Sequence, residues 1–335
     1  MKKEPAIVPN ELTAEGKKSL KVRLISAAIA IAIAAPCVIL GDWFLVALFG
    51  VALTVAVLEI IRCSKVKYTP FLYIFIFVCA ALLSYWPMLA NVKSWGAWTL
   101  YTGYSTLNLS VLVLVVCAFL FFFLVIIDKS FTVRDACFIF TMVFLISLGF
   151  ESAMFLRFYP CYRFIEVDHL GDAGFSFFNN FESSMLIFYA LLGSFLTDAG
   201  AYFFGIFFGH NKINPRISEK KTWAGFFGGI FTSMIITGVF AFVMAYLGHP
   251  IGNILTLDKW YHIVILSVGM PFFSTLGDFV FSSFKRFYEI KDFGKLIPGH
   301  GGILDRVDSV IFACIFVAIY IACFYCGESG LPILI

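Results

Sequence analysis

Charge is what this sequence has least of. Only 13% of its 335 residues are Asp, Glu, Lys or Arg, and five are histidine. A soluble domain of that length carries a far more polar surface, so the soluble globular class is excluded. The basic residues are scattered through short segments and build no continuous basic face, which removes nucleic acid as a partner. Nine cysteines are present, mostly inside apolar runs, with none spaced to histidine as a zinc ligand would be. Cys323 and Cys326 form a C-x-x-C, but at the end of an apolar run packing accounts for it better than redox chemistry. No internal repeat, low-complexity linker or soluble domain interrupts the chain.

Hydrocarbon is what the sequence has in excess. It is 61% hydrophobic and 19% aromatic, with 42 phenylalanines and a mean hydropathy of +0.94. This composition predicts an all-α integral membrane protein, because a helix satisfies its own backbone polar groups in lipid. Runs long enough to cross ~30 Å of hydrocarbon fall near 22–40, 43–61, 71–90, 107–127, 136–156, 184–208, 223–247, 261–283 and 309–327. They predict about nine transmembrane helices. Residues 1–21 read as a polar cytoplasmic tail lying on anionic headgroups, 22–327 as one membrane domain, and 328–335 as a short external tail. The first run reads as an uncleaved span and not as a signal peptide.

The few cations orient these spans. The N-terminus through Arg23, with segments 62–70, 128–135, 209–222 and 284–308, holds 20 of the 24 Lys and Arg residues. The intervening segments hold the other four, so every segment fits one phase of alternation. The positive-inside rule therefore puts the N-terminus in the cytoplasm and the C-terminus outside. Segment 157–183 sets Glu166, Asp168, Asp172 and Glu182 against Arg157 and Arg163 and reads as an acidic external loop, with His169 a surface residue.

Against so apolar a background, Gly277–Ser309 stands out. Its 33 residues carry four aspartates, five Lys or Arg and one His. Asp278 lies inside an apolar run, where a carboxylate is costly unless it is paired or lines a polar cavity. On a helix, Ser274, Asp278, Ser282 and then Lys285 and Arg286 form one polar stripe. Pro298-Gly299-His300-Gly301-Gly302 can bring backbone N–H groups up to an anion. Asp305 and Asp308, three residues apart, share a face if a helix starts there. Carboxylates, cations and a glycine-rich loop suit a Mg²⁺-phosphate site, in which Lys and Arg neutralise the remaining phosphate charge. The plainer alternative is a charged cytoplasmic loop between two spans.

A second segment, Ser194–Gly225, has the same character. Ser194, Asp198 and Tyr202 fall on one helical face, and Gly200 and Gly205 admit a close neighbouring helix. Asp198 lies roughly 15 Å from the inner end of its span at 1.5 Å per residue, and Asp278 a turn or two from the inner end of its own. Topology thus puts both intramembrane aspartates in the cytoplasmic half. The alternative for Asp198 is a buried carboxylate tied to a neighbouring helix. Glu151, near an outer end, reads as structural, and Glu59, at an inner end, as a boundary residue. Polar stripes alone fit a transporter nearly as well.

The spacing S-x-x-K-R-x4-K-D-x-G-x3-P-G-H-G-G-x-x-D-R-x-D over 282–308 closely resembles the C-terminal motif of phosphatidate cytidylyltransferases. Asp198, Gly200, Ala201 and Tyr202, then Ile217, Ser218, Lys220 or Lys221, Thr222, Trp223 and Gly225, resemble a second element of that family. Ala199, Ile206 and Ala224 depart from its usual threonine, basic residue and glutamate, which bears on fine substrate contacts. The resemblance is strong over about 190–310; the first five spans match only in being apolar.

That resemblance implies transfer of cytidylyl from CTP to phosphatidate at the cell (inner) membrane, with Mg²⁺, alone or with a second metal ion. It also implies a homodimer among membrane lipid. It makes Asp278 and Asp305 metal carboxylates, with Asp292 and Asp308 in support. Lys220, Lys221, Lys285, Arg286, Lys291 and Arg306 would hold the phosphates, beside Asp198, Ser218 and Ser282. Gly299, Gly301 and Gly302 would pack against nucleotide or pyrophosphate, and His300 would either donate to a phosphate or lock the loop. A related CTP-dependent enzyme with another acceptor, an isoprenoid alcohol kinase or ether-lipid cytidylyltransferase, is the nearest rival. A transporter leaves the ordered loop motif unexplained and would be expected to show an inverted repeat.

Overall fold

A computed structural model of the chain describes residues 14–66, 68–90, 101–102, 105–106, 109–165, 177–218, 220–296 and 301–326. Nine α-helices follow one another among them: α1 (Ala14–Leu40), α2 (Asp42–Cys63), α3 (Pro70–Ala90), α4 (Leu109–Ile127), α5 (Val133–Ile165), α6 (Phe177–Phe208), α7 (Trp223–Tyr246), α8 (Trp260–Phe287) and α9 (Leu304–Ile321). Each overlaps one of the nine apolar runs. A two-residue ladder, Tyr101–Thr102 with Ser105–Thr106, is the small addition between α3 and α4.

Among the described residues six helices are long and apolar enough to cross a membrane: Trp43–Cys63, Val133–Arg157, Ser184–Phe208, Trp223–Tyr246, Trp260–Phe287 and Leu304–Phe324. The runs expected at 22–40, 71–90 and 107–127 correspond to shorter apolar helices, at Ile25–Leu40, Pro70–Tyr85 and Val113–Ile127 of the described residues. The fold is thus that of a helical membrane protein, with six helices of spanning length and apolarity among the described residues. Its helices turn large apolar side chains outward, among them Phe119, Phe203, Phe207, Phe227 and Val239, as lipid-facing surfaces do.

Polar side chains are spent on joining helices. The Tyr189 hydroxyl pairs with Ser267 and the Ser194 hydroxyl with Ser274, both at 2.9 Å, stitching α6 to α8. Ser233 of α7 donates to the Gly193 carbonyl of α6 at 2.9 Å. Such bonds replace the hydrophobic drive that lipid does not supply between helices. Gly200 serves as expected: a Cβ there would stand 2.8 Å from Thr232 of α7, whereas at Gly205 it would make ordinary contact.

Two boundaries differ from those read in the sequence. Helix α9 starts at Leu304, five residues before the expected 309, because Asp305 and Asp308 are received by the protein and so tolerated inside the helix. Helix α5 runs on to Ile165, and Arg157, expected in an external loop, is fully buried on it. Its guanidinium donates from Nε to the Val38 carbonyl at 2.7 Å and from one terminal nitrogen to the Ile39 carbonyl at 2.9 Å. A buried charge is acceptable there because it caps the last carbonyls of α1.

Candidate functional site

The described parts of segments 209–222 and 288–303 meet at one end of the bundle, both bonded to Arg286. Thr222 adopts extended backbone and its hydroxyl accepts the Gly225 amide at 3.1 Å, capping α7. The preceding loop folds back on itself: Ile213 N–H donates to the Lys221 carbonyl at 3.1 Å, and Trp223 N–H to the Asn211 carbonyl at 3.0 Å. Lys221, locked between that ladder and the cap, reaches Asp278 of α8, Nζ to Oδ2 2.6 Å. The contact is an ion pair, not an aligned hydrogen bond, and the same ammonium lies 3.9 Å from the Phe279 ring centre.

The polar stripe of α8 continues from there. Ser282 donates to Asp278 Oδ1 at 3.2 Å. One turn on, Lys285 Nζ donates to Asp305 Oδ1 of α9 at 3.0 Å and stands 3.8 Å from Asp308 Oδ2. Helices α8 and α9 approach this closely because Gly277 has no side chain; a Cβ would fall 2.7 Å from the Asp308 carbonyl. Asp278 and Asp308 lie within each other's electrostatic reach, as does Asp198, which also feels Lys221 and Arg306. The Asp198 residue is accessible on α6.

Asp305 has a second task. Its Oδ2 accepts the Phe293 amide at 2.9 Å and the Gly302 amide at 3.0 Å, holding both at the start of α9. Gly301, with φ at +87°, makes the turn into that grip. Arg286 is exposed and donates to the Ile217 and Ile290 carbonyls at 3.2 and 3.4 Å, fastening the two site segments together. Ser218 is half-buried, and its amide donates to the Asn214 carbonyl at 3.0 Å. Lys220, Lys291, Asp292 and Arg306 are exposed, and no described hydrogen bond or ion pair draws Lys291 or Asp292 into the cluster. Gly299 and His300 lie outside the described residues. Beneath the site, Tyr288 packs on Phe138 with ring centres 4.3 Å apart, and burial raises its hydroxyl pKa.

Glu59, expected as a boundary residue, is instead a buried acceptor at the start of α9. It is 2% exposed and accepts the Ile303 and Leu304 amides, both at 3.0 Å. A charged residue closing an apolar run was the one available signal; its partners lie 244 and 245 residues away and left no local trace.

The arrangement can neutralise and hold phosphate. Among the described residues no three His, Cys, Asp or Glu side chains form a cage for an ion. Mg²⁺ needs only one or two carboxylates when phosphates complete its shell, and the paired, partly accessible Asp278 and the Oδ1 face of Asp305 suit that role.

Comparison with known proteins agrees with this chemistry. A model of the cytidylyltransferase family matches residues 21–324, well beyond the 190–310 over which the resemblance was strong. The chain is 35% identical over 178 residues to the phosphatidate cytidylyltransferase of Bacillus subtilis (strain 168), covering 53% of this chain and 59% of that protein. It is 41% identical over 141 residues to the enzyme of that name from Staphylococcus haemolyticus (strain JCSC1435), covering 42% and 50%. For Staphylococcus aureus (strain COL) the identity is 41% over 143 residues, with the same shares. The chain thus spans about half the length of the curated relatives it matches. With the match running from α1 to the end of α9 and the motif residues gathered at one end of the bundle, the chain belongs to the cytidylyltransferase family.

Proposed function

We propose that this protein transfers the cytidylyl group of CTP to phosphatidate, forming CDP-diacylglycerol and releasing pyrophosphate. The observation that carries the reading is the meeting of Asp278, Asp305 and Asp308 with Lys221 and Lys285 at one end of an apolar bundle. An oxygen of the lipid phosphate attacks the α-phosphorus of CTP; the new P–O bond forms as the α–β bond breaks, and the electron pair leaves on pyrophosphate. The nucleophile is already anionic, so no general base is required. The site must instead neutralise and align two phosphates that repel each other.

Lys221 and Lys285 serve that need, each exchanging its carboxylate for phosphate oxygens when substrate enters. Mg²⁺ would be held by Asp278 and Asp305, with Asp308 in support, and would supply positive charge to the phosphates, alone or with a second metal ion. Lys220, Lys291, Asp292 and Arg306 are exposed, and Asp198 lies within electrostatic reach of Asp278, Asp308, Lys221 and Arg306. Gly299, His300, Gly301 and Gly302 would wrap the nucleotide. The same reading makes this the cytoplasmic end of a homodimer in the inner membrane. Phosphatidate would keep its tails in lipid while CTP arrives from water.

Detergent-purified protein, given labelled CTP, phosphatidate and Mg²⁺, is expected to form CDP-diacylglycerol and pyrophosphate and to stop with EDTA. No product from folded protein overturns the reading, and polyprenol or archaeal-type ether lipid is then supplied as acceptor. Asp305→Asn with near-normal turnover at saturating Mg²⁺ would overturn the metal assignment.

A further inference from the structure

We infer that Glu59 of α2 is a positioning residue for this site: its carboxylate sets the first turn of α9 and thereby the placement of Asp305. The inference deepens the cytidylyl-transfer reading and rests on it for its activity measurement only.

The first amides of any helix lack partners within the helix. Helix α9 has no side-chain cap of its own, since Ile303 stands at the N-cap position. Glu59 supplies the cap from another helix, with Oε1 taking the Ile303 amide and Oε2 the Leu304 amide. Its negative charge also meets the positive end of the α9 dipole. The carboxylate is enclosed as well as bonded: a Cβ on either Gly294 or Gly302 would collide with it. Gly294 follows Phe293, and Asp305 holds the Phe293 and Gly302 amides together.

Three successive amides, 302, 303 and 304, are therefore divided between Asp305 and Glu59. The two carboxylates lie in each other's field, so the backbone between them is gripped from both sides. Asp305 keeps Oδ1 turned to Lys285 because its other oxygen, and the turn that carries it, are pinned. Loosening Glu59 frees the turn and moves the carboxylate that the proposed chemistry uses.

Glu59→Gln tests this in full-length protein in detergent. The variant keeps the side chain's shape but replaces one acceptor with an amide donor that opposes a backbone N–H. Four quantities are compared with the unmutated protein: hydrogen exchange over 293–305, Mn²⁺ affinity by electron paramagnetic resonance, the unfolding midpoint, and kcat with KM for CTP. Faster exchange confined to that stretch is expected, with Mn²⁺ affinity or kcat lowered about 10- to 100-fold, KM changing less, and the midpoint held. Glu59→Asp keeps the charge at shorter reach and is expected to recover part of the loss. Unchanged exchange and Mn²⁺ binding in Glu59→Gln would overturn the inference. So would faster exchange throughout the protein with a lower midpoint, which marks a purely structural cap. If the unmutated protein transfers no cytidylyl group, the cytidylyl-transfer reading fails while the exchange comparison still decides the role of Glu59.

Discussion

Lys285 of α8 donates to Asp305 of α9 at 3.0 Å while standing 3.8 Å from Asp308, so one cation answers two carboxylates a helical turn apart. The lysine side chain is 12% exposed and the Asp305 side chain 3%. Removing one partner of so enclosed a pair leaves charge stranded, at a cost of about 3–5 kcal/mol. Lys285→Met is therefore expected to lower the unfolding midpoint in EDTA, and Mg²⁺ to recover part of the loss by standing in for the ammonium. A midpoint indifferent to both would mean that the carboxylates do not depend on this cation.

The other lysine pair should behave differently. Lys221 and Asp278 have side chains 21% and 29% exposed, so solvent screens their attraction. A double-mutant cycle on Lys221→Ala and Asp278→Asn is expected to give a coupling of about 1 kcal/mol in stability. Turnover should fall far more, about 100-fold for each single change, the scale of losing one preorganised charge-stabilising group. Normal turnover in either variant would take that residue out of the proposed chemistry.

Gly277 sets how near α9 comes to α8. In Gly277→Ala the new Cβ would face the Asp308 carbonyl at 2.7 Å and the Phe312 side chain at 2.8 Å. Separating the helices to admit it is expected to cost about 1–3 kcal/mol and to lower turnover by parting Asp278 from Asp308. Gly205→Ala is the control, with its nearest atom at 3.5 Å. Equal thermal shifts in the two variants would show that the α8–α9 crossing has slack.

Arg157 should separate stability from activity. It works at the opposite end of the bundle, bonded to the Val38 and Ile39 carbonyls. Arg157→Met is expected to cost about 3 kcal/mol, the upper range for losing hydrogen bonds to a charged donor, with turnover per folded molecule unchanged. A specific loss of turnover would link the two ends.

Much of the site was legible before any coordinates. Asp278, Ser282 and Lys285 form one stripe because helical spacing alone puts them on one face, and the structure keeps it intact. What lay across helices was not legible. That Lys221 pairs with Asp278, that Lys285 spans Asp305 and Asp308, and that Arg286 binds backbone carbonyls are properties of how elements meet. Glu59 and Arg157 were misjudged for the same reason: each is a charge at the end of an apolar run, and only its distant partners reveal whether it is a boundary or a buried cap.

Composition by itself determined that this protein is a helical membrane protein, because a chain this apolar must satisfy its backbone within helices. The ordered spacing of charges and glycines likewise determined the family. Tertiary structure alone decided which carboxylate answers which lysine and which helix end each buried charge closes, because the cost of a buried charge is settled by its nearest opposite partner in space, and sequence distance carries no record of that partner.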